Sequence, residues 1–198
     1  KVVFSPLNAQ QRFASLQSGQ IDVLSRNTSW TLTRDASLGF EFAAVTYYDG
    51  QGFLVPRKLK VTSAKQLRNA QVCVQAGTTT EKNLSDFSRS QGVPLKPVVF
   101  DTFEAAFKAF FAGRCQAYTT DASGLASVRN KEAPNPDDYL ILPELISKEP
   151  LGPLVRRGDD EWFTIVKWTV FALIEAEELG VTQANIDTQR KSADPAIQ

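Results

Sequence analysis

The sequence predicts an α/β fold with mainly parallel strands, arranged as two similar lobes. Three observations carry this prediction. Short apolar runs alternate with helical patterns along the chain, the mark of strand–helix–strand units. Glycines stand just past the helical patterns, where a left-handed residue is wanted. One segment is also echoed. Phe13-Ala-Ser-Leu16-Gln-Ser-Gly19-Gln-Ile-Asp22-Val23 matches Phe107-Lys-Ala-Phe110-Phe-Ala-Gly113-Arg-Cys-Gln116-Ala117 at a constant offset of 94. In each copy a helix with apolar residues three apart stops at glycine and enters a strand. Any α/β unit has this outline, and two homologous lobes also account for the constant offset. In that reading each lobe offers the loop after its strand to a shared cleft, because ligands of open α/β sheets sit at the carboxyl ends of strands.

The elements follow in order. Val2–Ser5 reads as a strand already under way. Ala9–Ser18 is a helix closed by Gly19, and Ile21–Leu24 is a strand. Phe40 to Pro56 is long, β-prone and interrupted by Gly50 and Gly52. Strands Gln71–Val74, Pro97–Phe100, Gln116–Thr119 and Asp138–Leu142 alternate with helices Thr79–Gln91, Phe103–Ala112 and Ala122–Asn130. Leu151–Arg157 is a second extended segment. Asp160–Leu179 is a helix with Asp159, Asp160 and Glu161 at its N-terminus, where negative charge and a capping carboxylate are favoured. Asp194 to Gln198 reads as a loop. If the two extended segments are crossings between lobes, residues 1–53 and 152–198 form lobe 1, and residues 54–151 form an inserted lobe 2.

Composition narrows the function. The 22 basic and 22 acidic residues balance, which argues against nucleic acid or an anionic membrane as the main partner. An apolar fraction of 42%, with 13 Phe and 3 Trp, allows a sizeable core. The most apolar stretch, Trp168 to Ile174, falls far short of the roughly 20 residues a membrane helix needs. Histidine is absent, so His-dependent triads and His metal sites are excluded, and 2 cysteines cannot build a four-cysteine zinc site. No cofactor or metal is expected. The chain opens on Lys1-Val-Val-Phe4 with neither an initiator Met nor a leader, and reads as processed or trimmed.

Three loops can carry chemistry. Ser25-Arg26-Asn27-Thr28-Ser29-Trp30-Thr31 follows a strand and opens a short helix near Thr31, so hydroxyls and free N–H groups make an anion cradle. Arg34 adds a planar two-pronged donor for a carboxylate. An N-cap beside a surface arginine has the same composition. Gln75-Ala-Gly77-Thr78-Thr79-Thr80-Glu81 lies between a strand and a helix and offers caps and open donors, but it lacks the lysine and spacing of a P-loop. Tyr118-Thr-Thr-Asp121 ends at a carboxylate that aligns with Asn27 in the echo. Asp121 can accept from an ammonium group, or simply cap the next helix. Together the loops complement an α-amino-acid zwitterion. Cys73 and Cys115 lie at the start of two central strands, outside any CxxC pair. Two buried thiols and a structural disulfide both fit.

At these loops the sequence closely resembles the periplasmic general L-amino-acid-binding proteins of bacterial ABC transporters, in solute-binding protein family 3. The resemblance is carried by Ala14–Arg34, Tyr47–Phe53, Val72–Glu81, Gly113–Leu125 and Pro143–Pro153, and runs over nearly the whole chain. It implies the type II periplasmic-binding-protein fold: two α/β lobes joined by two hinge strands and closing over one amino acid. It implies that Arg34 grips the ligand carboxylate, with the N–H groups of Ser29 and Thr79. Asp121 then takes the ammonium, joined by Asn27 and the Ser29 hydroxyl. Thr28 belongs to the same loop, and Thr80 and Arg26 fall near the side-chain pocket. Family members begin with a strand, a glycine-rich loop and a helix before the position where this sequence starts. The N-terminal part of lobe 1 is therefore absent from the sequence, and self-association of the chain is expected. Export to an oxidising compartment implies a Cys73–Cys115 disulfide and a periplasmic location. The function implied is non-enzymatic delivery of an L-amino acid to an ABC permease. The rivals are a dehydratase-like periplasmic enzyme, against which it counts that the neighbours of Asp121 would keep it ionised and unfit as a general acid, and a non-binding fragment of the transport protein.

Overall fold

The structure is a computed structural model describing residues 2–197. Its centre is a five-stranded sheet with strand order β5-β4-β6-β3-β7. The strands are β3 (Gln51–Pro56), β4 (Gln71–Gln75), β5 (Lys96–Phe100), β6 (Ala117–Asp121) and β7 (Tyr139–Ile141). β4 runs parallel to β5 and β6, whereas β3 is antiparallel to β6 and to β7. The sheet is thus mixed but mainly parallel, as the sequence predicts, with β3 alone running against the other strands. The reason is that β3 enters it directly from a crossing between the lobes, whereas β7 follows β6 through a helical crossover, residues 122–131, and keeps its direction.

Both faces of this sheet are covered, so its strands read as continuous apolar runs. Phe53, Val55, Val72 and Val74 point to one face and pack with Leu84 of α2 (Thr79–Ser90), Leu67 and Leu142. Leu54, Cys73 and Tyr118 point to the other and pack with Phe107 and Phe110 of α3 (Phe103–Phe111) and Leu125 and Val128 of α4 (Ala122–Lys131). On this second face Cys73 and Cys115 form a disulfide with a Cα separation of 5.7 Å, inside the range a bridge allows.

The other lobe is thinner. Leu16 of α1 (Arg12–Gln17) packs with Leu24, Phe40, Phe42 and Leu154. Its pairing is β1 (Phe40–Phe42) against β9 (Leu154–Arg156), antiparallel. Ile21–Leu24 makes only one bridge, Leu24 to Leu154, in place of the predicted strand. Val2–Ser5 forms no strand: Val2, Val3 and Phe4 are exposed and have no partner strand, so β-propensity alone does not hold them. The helix α5 (Asp160–Glu178) is capped by Asp159, whose carboxylate accepts from Trp162 N–H at 2.9 Å. A further short helix, α6 (Ile186–Gln189), follows it and is not legible in the pattern.

Between the lobes the chain crosses twice. β2 (Tyr47–Asp49) and β8 (Glu149–Leu151) pair antiparallel, with Asp49 opposite Glu149. Gly152 sits at this crossing because a Cβ there would lie 1.9 Å from the Ala44 carbonyl oxygen. Gly19, Gly92, Gly113 and Gly180 all take positive φ after their helices, as their positions predict.

Candidate functional site

The loop after Leu24 is pinned to the second crossing. Trp30 N–H donates to Pro150 O at 2.7 Å and Gly152 N–H donates to Thr28 O at 3.1 Å. Ser29 is the residue between them, bridged to Leu151, so its own N–H and C=O turn away from the crossing. On that side Arg34, nearly buried, donates from Nη1 to Ser29 O at 2.8 Å. Arg34 lies in a five-residue π-helical turn, Thr33–Ser37, which begins later than the predicted helix start. Thr31 spends its hydroxyl on the N–H of Arg34 at 3.3 Å.

The sheet lobe brings its own loops to meet this one. Thr78 caps α2 by accepting from Glu81 N–H at 3.2 Å. That leaves the Thr79 hydroxyl 3.3 Å from Ser29 Oγ and donating to Glu149 Oε2 at 3.0 Å. Asp121 occupies the N-cap position of α4 yet makes no side-chain cap bond. Its Oδ2 instead accepts from Asn27 Nδ2 at 3.2 Å, across a sequence separation of 94. The two positions matched by the internal echo therefore touch each other across the lobes.

Burial dominates the electrostatics. It pushes the Asp121 carboxyl up to about 6, with Asp49 and Glu149 adding to the shift and Asn27 and Arg12 opposing it. At neutral pH Asp121 is still ionised, but it is far easier to protonate than the sequence reading supposes. Burial also lowers Arg34 and Arg26, while Asp121 pulls both back, joined for Arg34 by Glu149. Arg12 is held down to about 9 by its own burial and by the charges of Arg34 and Arg26. No cluster of metal-ligating side chains occurs among the described residues.

Of the predicted residues, Asn27, Ser29, Arg34, Thr79 and Asp121 are brought together. Thr28 faces inward, its hydroxyl accepting from Arg12 Nη1 at 3.0 Å. Thr80 turns into the sheet lobe: its carbonyl accepts from Gln51 Nε2 at 2.9 Å and its hydroxyl lies 2.7 Å from that of Thr78. Arg26 is partly exposed and donates to Leu7 O at 3.1 Å and Asn27 Oδ1 at 3.3 Å. Sequence reasoning missed Arg12 and Glu149. Arg12 is buried beside Phe13 of the echo, and no pattern distinguishes it from a surface arginine. Glu149 lies between Lys148 and Pro150, which reads as an exposed loop. Its carboxylate is buried and accepts from Thr79, from Asn83 Nδ2 at 2.7 Å and from Ser147 Oγ at 2.6 Å.

The model for the bacterial extracellular solute-binding proteins, family 3, matches residues 1–185. The chain is 57% identical over 197 residues to the general L-amino acid-binding periplasmic protein AapJ of Rhizobium johnstonii, covering 100% of this chain and 58% of that protein. It is 54% identical over 188 residues to the glutamate/glutamine/aspartate/asparagine-binding protein BztA of Rhodobacter capsulatus, covering 94% and 55% respectively. A solved structure of an ABC transporter periplasmic binding protein from Brucella ovis, with glutathione bound, matches with a TM-score of 0.93 at 54% identity, covering 100% of this chain and 62% of that one. The chain thus spans little more than half the length of the curated relatives it matches.

Proposed function

We propose, from the premise that the chain belongs to the bacterial extracellular solute-binding proteins of family 3, that it binds a free L-amino acid between its lobes. It delivers this ligand, in the periplasm, to the membrane permease of an ABC importer. The lobes divide at the β2–β8 crossing, which puts the first boundary before Gln51 rather than after Phe53: residues 1–46 with 152–198 form one lobe and residues 50–148 the other. The observation that carries the reading is the meeting of two charge types at one interlobe face. Arg34 and the outward N–H of Ser29 offer donors to a carboxylate, and Asp121, held by Asn27 and not spent on a cap, offers an acceptor to an ammonium. In a closed, poorly hydrated site each such contact is worth more than in water. The bonds Asn27–Asp121 and Ser29–Thr79 hold the lobes together where the ligand's polar ends would otherwise lie.

Glutathione carries the same α-ammonium and α-carboxylate at its glutamyl end, so a small γ-linked peptide is a second ligand of the same chemistry. An enzyme on this scaffold needs a general acid, and Asp121, raised to about 6, is the one group here that approaches that role. The binding reading is preferred because the carboxylates beside Asp121 are already engaged, Asp49 with the Gly50 N–H and the Ser123 hydroxyl, and Glu149 with three donors. Mass spectrometry of small molecules released on denaturing the purified chain tests the proposal, with titration calorimetry over L-amino acids and glutathione. An L-amino acid is expected in the released fraction, and binding without turnover. Product formation from a bound substrate would move the chain to the enzyme class, and no binding at all would identify a non-binding fragment.

A further inference from the structure

The acid that begins α4 is not the acid that caps it. Asp121 stands at the N-cap position and makes no side-chain cap bond. The first N–H groups of a helix have no partner within it, and an N-cap side chain ordinarily accepts from the second or third of them. In α4 the first two are satisfied from the crossing instead. Ala122 N–H donates to Gly50 O at 2.8 Å. Ser123 N–H donates to Asp49 Oδ1 at 3.4 Å, and the Ser123 hydroxyl donates to Asp49 Oδ2. Asp49 is fixed in turn by its neighbour, since Gly50 N–H donates to its Oδ1 at 2.8 Å. Only glycine fits at position 50, because a Cβ there would lie 2.8 Å from Ser147 O and 2.9 Å from Leu145 Cδ1.

Asp49 is placed against the grain of its own strand. It lies directly opposite Glu149 in the antiparallel pair β2–β8, and like charges facing one another weaken such a pair. Each of these acids is bound to the start of a helix that brings a residue to the cleft. Glu149 holds Thr79 and Asn83 of α2, and Asp49 holds Ser123 of α4. With Ser123 served by Asp49, the Asp121 carboxylate turns away from its own helix and meets Asn27 at 3.2 Å across the lobes. We propose that Asp49 is a positioning residue for ligand binding: it caps α4 in place of Asp121 and so keeps the Asp121 carboxylate in the cleft for the ligand's ammonium group. This deepens the amino-acid-binding reading above and rests on it. Without Asp49 the Ser123 N–H loses its acceptor, and Asp121, two residues before it, stands where an N-cap carboxylate takes that bond. The charged groups that face Asp121 are Asp49 on β2, Glu149 on β8, Arg12 on α1, and Arg26 and Arg34 of the first loop and the turn after it. Removing Asp49 therefore acts on Asp121 in two ways, by lost charge and by a vacated cap. Asp49→Asn separates them, since it loses the charge and keeps an acceptor oxygen.

Heteronuclear NMR of the ligand-free chain between pH 4 and 8 follows the Asp121 carboxyl and the Ser123 amide. Calorimetry at pH 7.5 with L-glutamine and L-glutamate measures binding. In Asp49→Ala the Ser123 amide is expected to shift with the titration of Asp121, whose midpoint falls by about one pH unit. Both amino acids are expected to weaken about tenfold in that variant. Asp49→Asn is expected to leave the Ser123 amide as in the wild type, to lower the midpoint by less than half as much, and to bind within about threefold of the wild type. Ser123→Ala removes the hydroxyl bond alone and serves if Asp49→Ala does not fold, with a loss of about threefold and a smaller fall in the midpoint. An Asp49→Ala chain that binds as the wild type does would overturn the proposal. So would one that matches Asp49→Asn in affinity and titration, which would reduce Asp49 to its charge. A wild-type chain that binds neither amino acid would overturn the reading of function and with it the part of Asp49 in binding, whatever the titrations show of the cap.

Discussion

A carboxylate at the first position of a helix ordinarily caps it, and Asp121 does not. It is buried, turned to Asn27, and raised to about 6 chiefly by desolvation. Two measurements follow. An ammonium ligand needs the ionised form, so affinity is expected to fall as pH drops from 7.5 to 5, and calorimetry across that range reads it directly. Asp121→Asn should weaken binding at pH 7.5 and flatten the pH dependence. A carboxyl whose folded pKa lies above its unfolded value binds more protons when folded, so its effect on stability is unfavourable as pH rises through that interval. Asp121→Asn is therefore expected to raise the stability of the ligand-free chain at pH 7.5 by about 1–3 kcal/mol, with little change at pH 4. Thermal unfolding at the two pH values checks the sign. For the partner charge, Arg34→Ala should cost about 2–5 kcal/mol of binding free energy with the fold intact by circular dichroism.

The crossing β2–β8 is the element on which the site depends. Glu149 sits on it and gathers Thr79, Asn83 and Ser147, so the sheet lobe is tied to the hinge through one buried carboxylate. Glu149→Ala leaves three donors without their acceptor and is expected to cost about 1–3 kcal/mol, measured by denaturant unfolding. Its companion Gly152 has no room for a side chain against Ala44. Gly152→Ala must displace the backbone of the crossing, and a loss of about 1–3 kcal/mol together with weaker ligand binding is expected. The disulfide is a different kind of support. It staples β4 to the entry of β6 within one lobe, across a separation of 42 residues. Cys73→Ala with Cys115→Ala should lower stability by about 2–4 kcal/mol without moving the residues of the cleft. Unchanged ligand selectivity in a less stable chain is the expected result.

The two lobes differ in how well they are covered. The sheet lobe has helices on both faces and two contiguous cores. In the other lobe α5 buries only Val166, and Ile165, Trp168, Phe171 and Leu173 stand exposed, Leu173 at 67%. Contiguous apolar surface of this kind drives association in water. The 198-residue chain is expected to self-associate as its concentration rises, and light scattering measures this. Adding charge by Ile165→Glu and Trp168→Glu should return it to a monomer, since neither position lines the cavity that Leu173 shares with Arg26 and Asn27. A chain that stays monomeric at all concentrations would show that this face is tolerated by solvent.

The local rules of the chain determined its helices. Thr78 and Asp159 cap where the pattern puts them, and the four terminal glycines take the left-handed conformation their positions demand. Position-by-position resemblance also placed Arg34, Ser29, Thr79 and Asp121 in loops that meet. Those features are short-range, or are inherited as a pattern of residue types, so they can be read along the chain. Tertiary structure alone decided the rest. Val2–Ser5 has the composition of a strand and no strand to pair with. β3 joins the sheet antiparallel to both its neighbours, because a crossing strand takes its direction from where the chain enters the lobe. Arg12 and Glu149 look like surface residues until α1 and β8 bury them, Arg12 against the 27–28 loop and Glu149 against Thr79. A charged side chain has no fixed character in a sequence: whether it is solvated or stripped of water depends on the elements that close over it, and those come from distant parts of the chain.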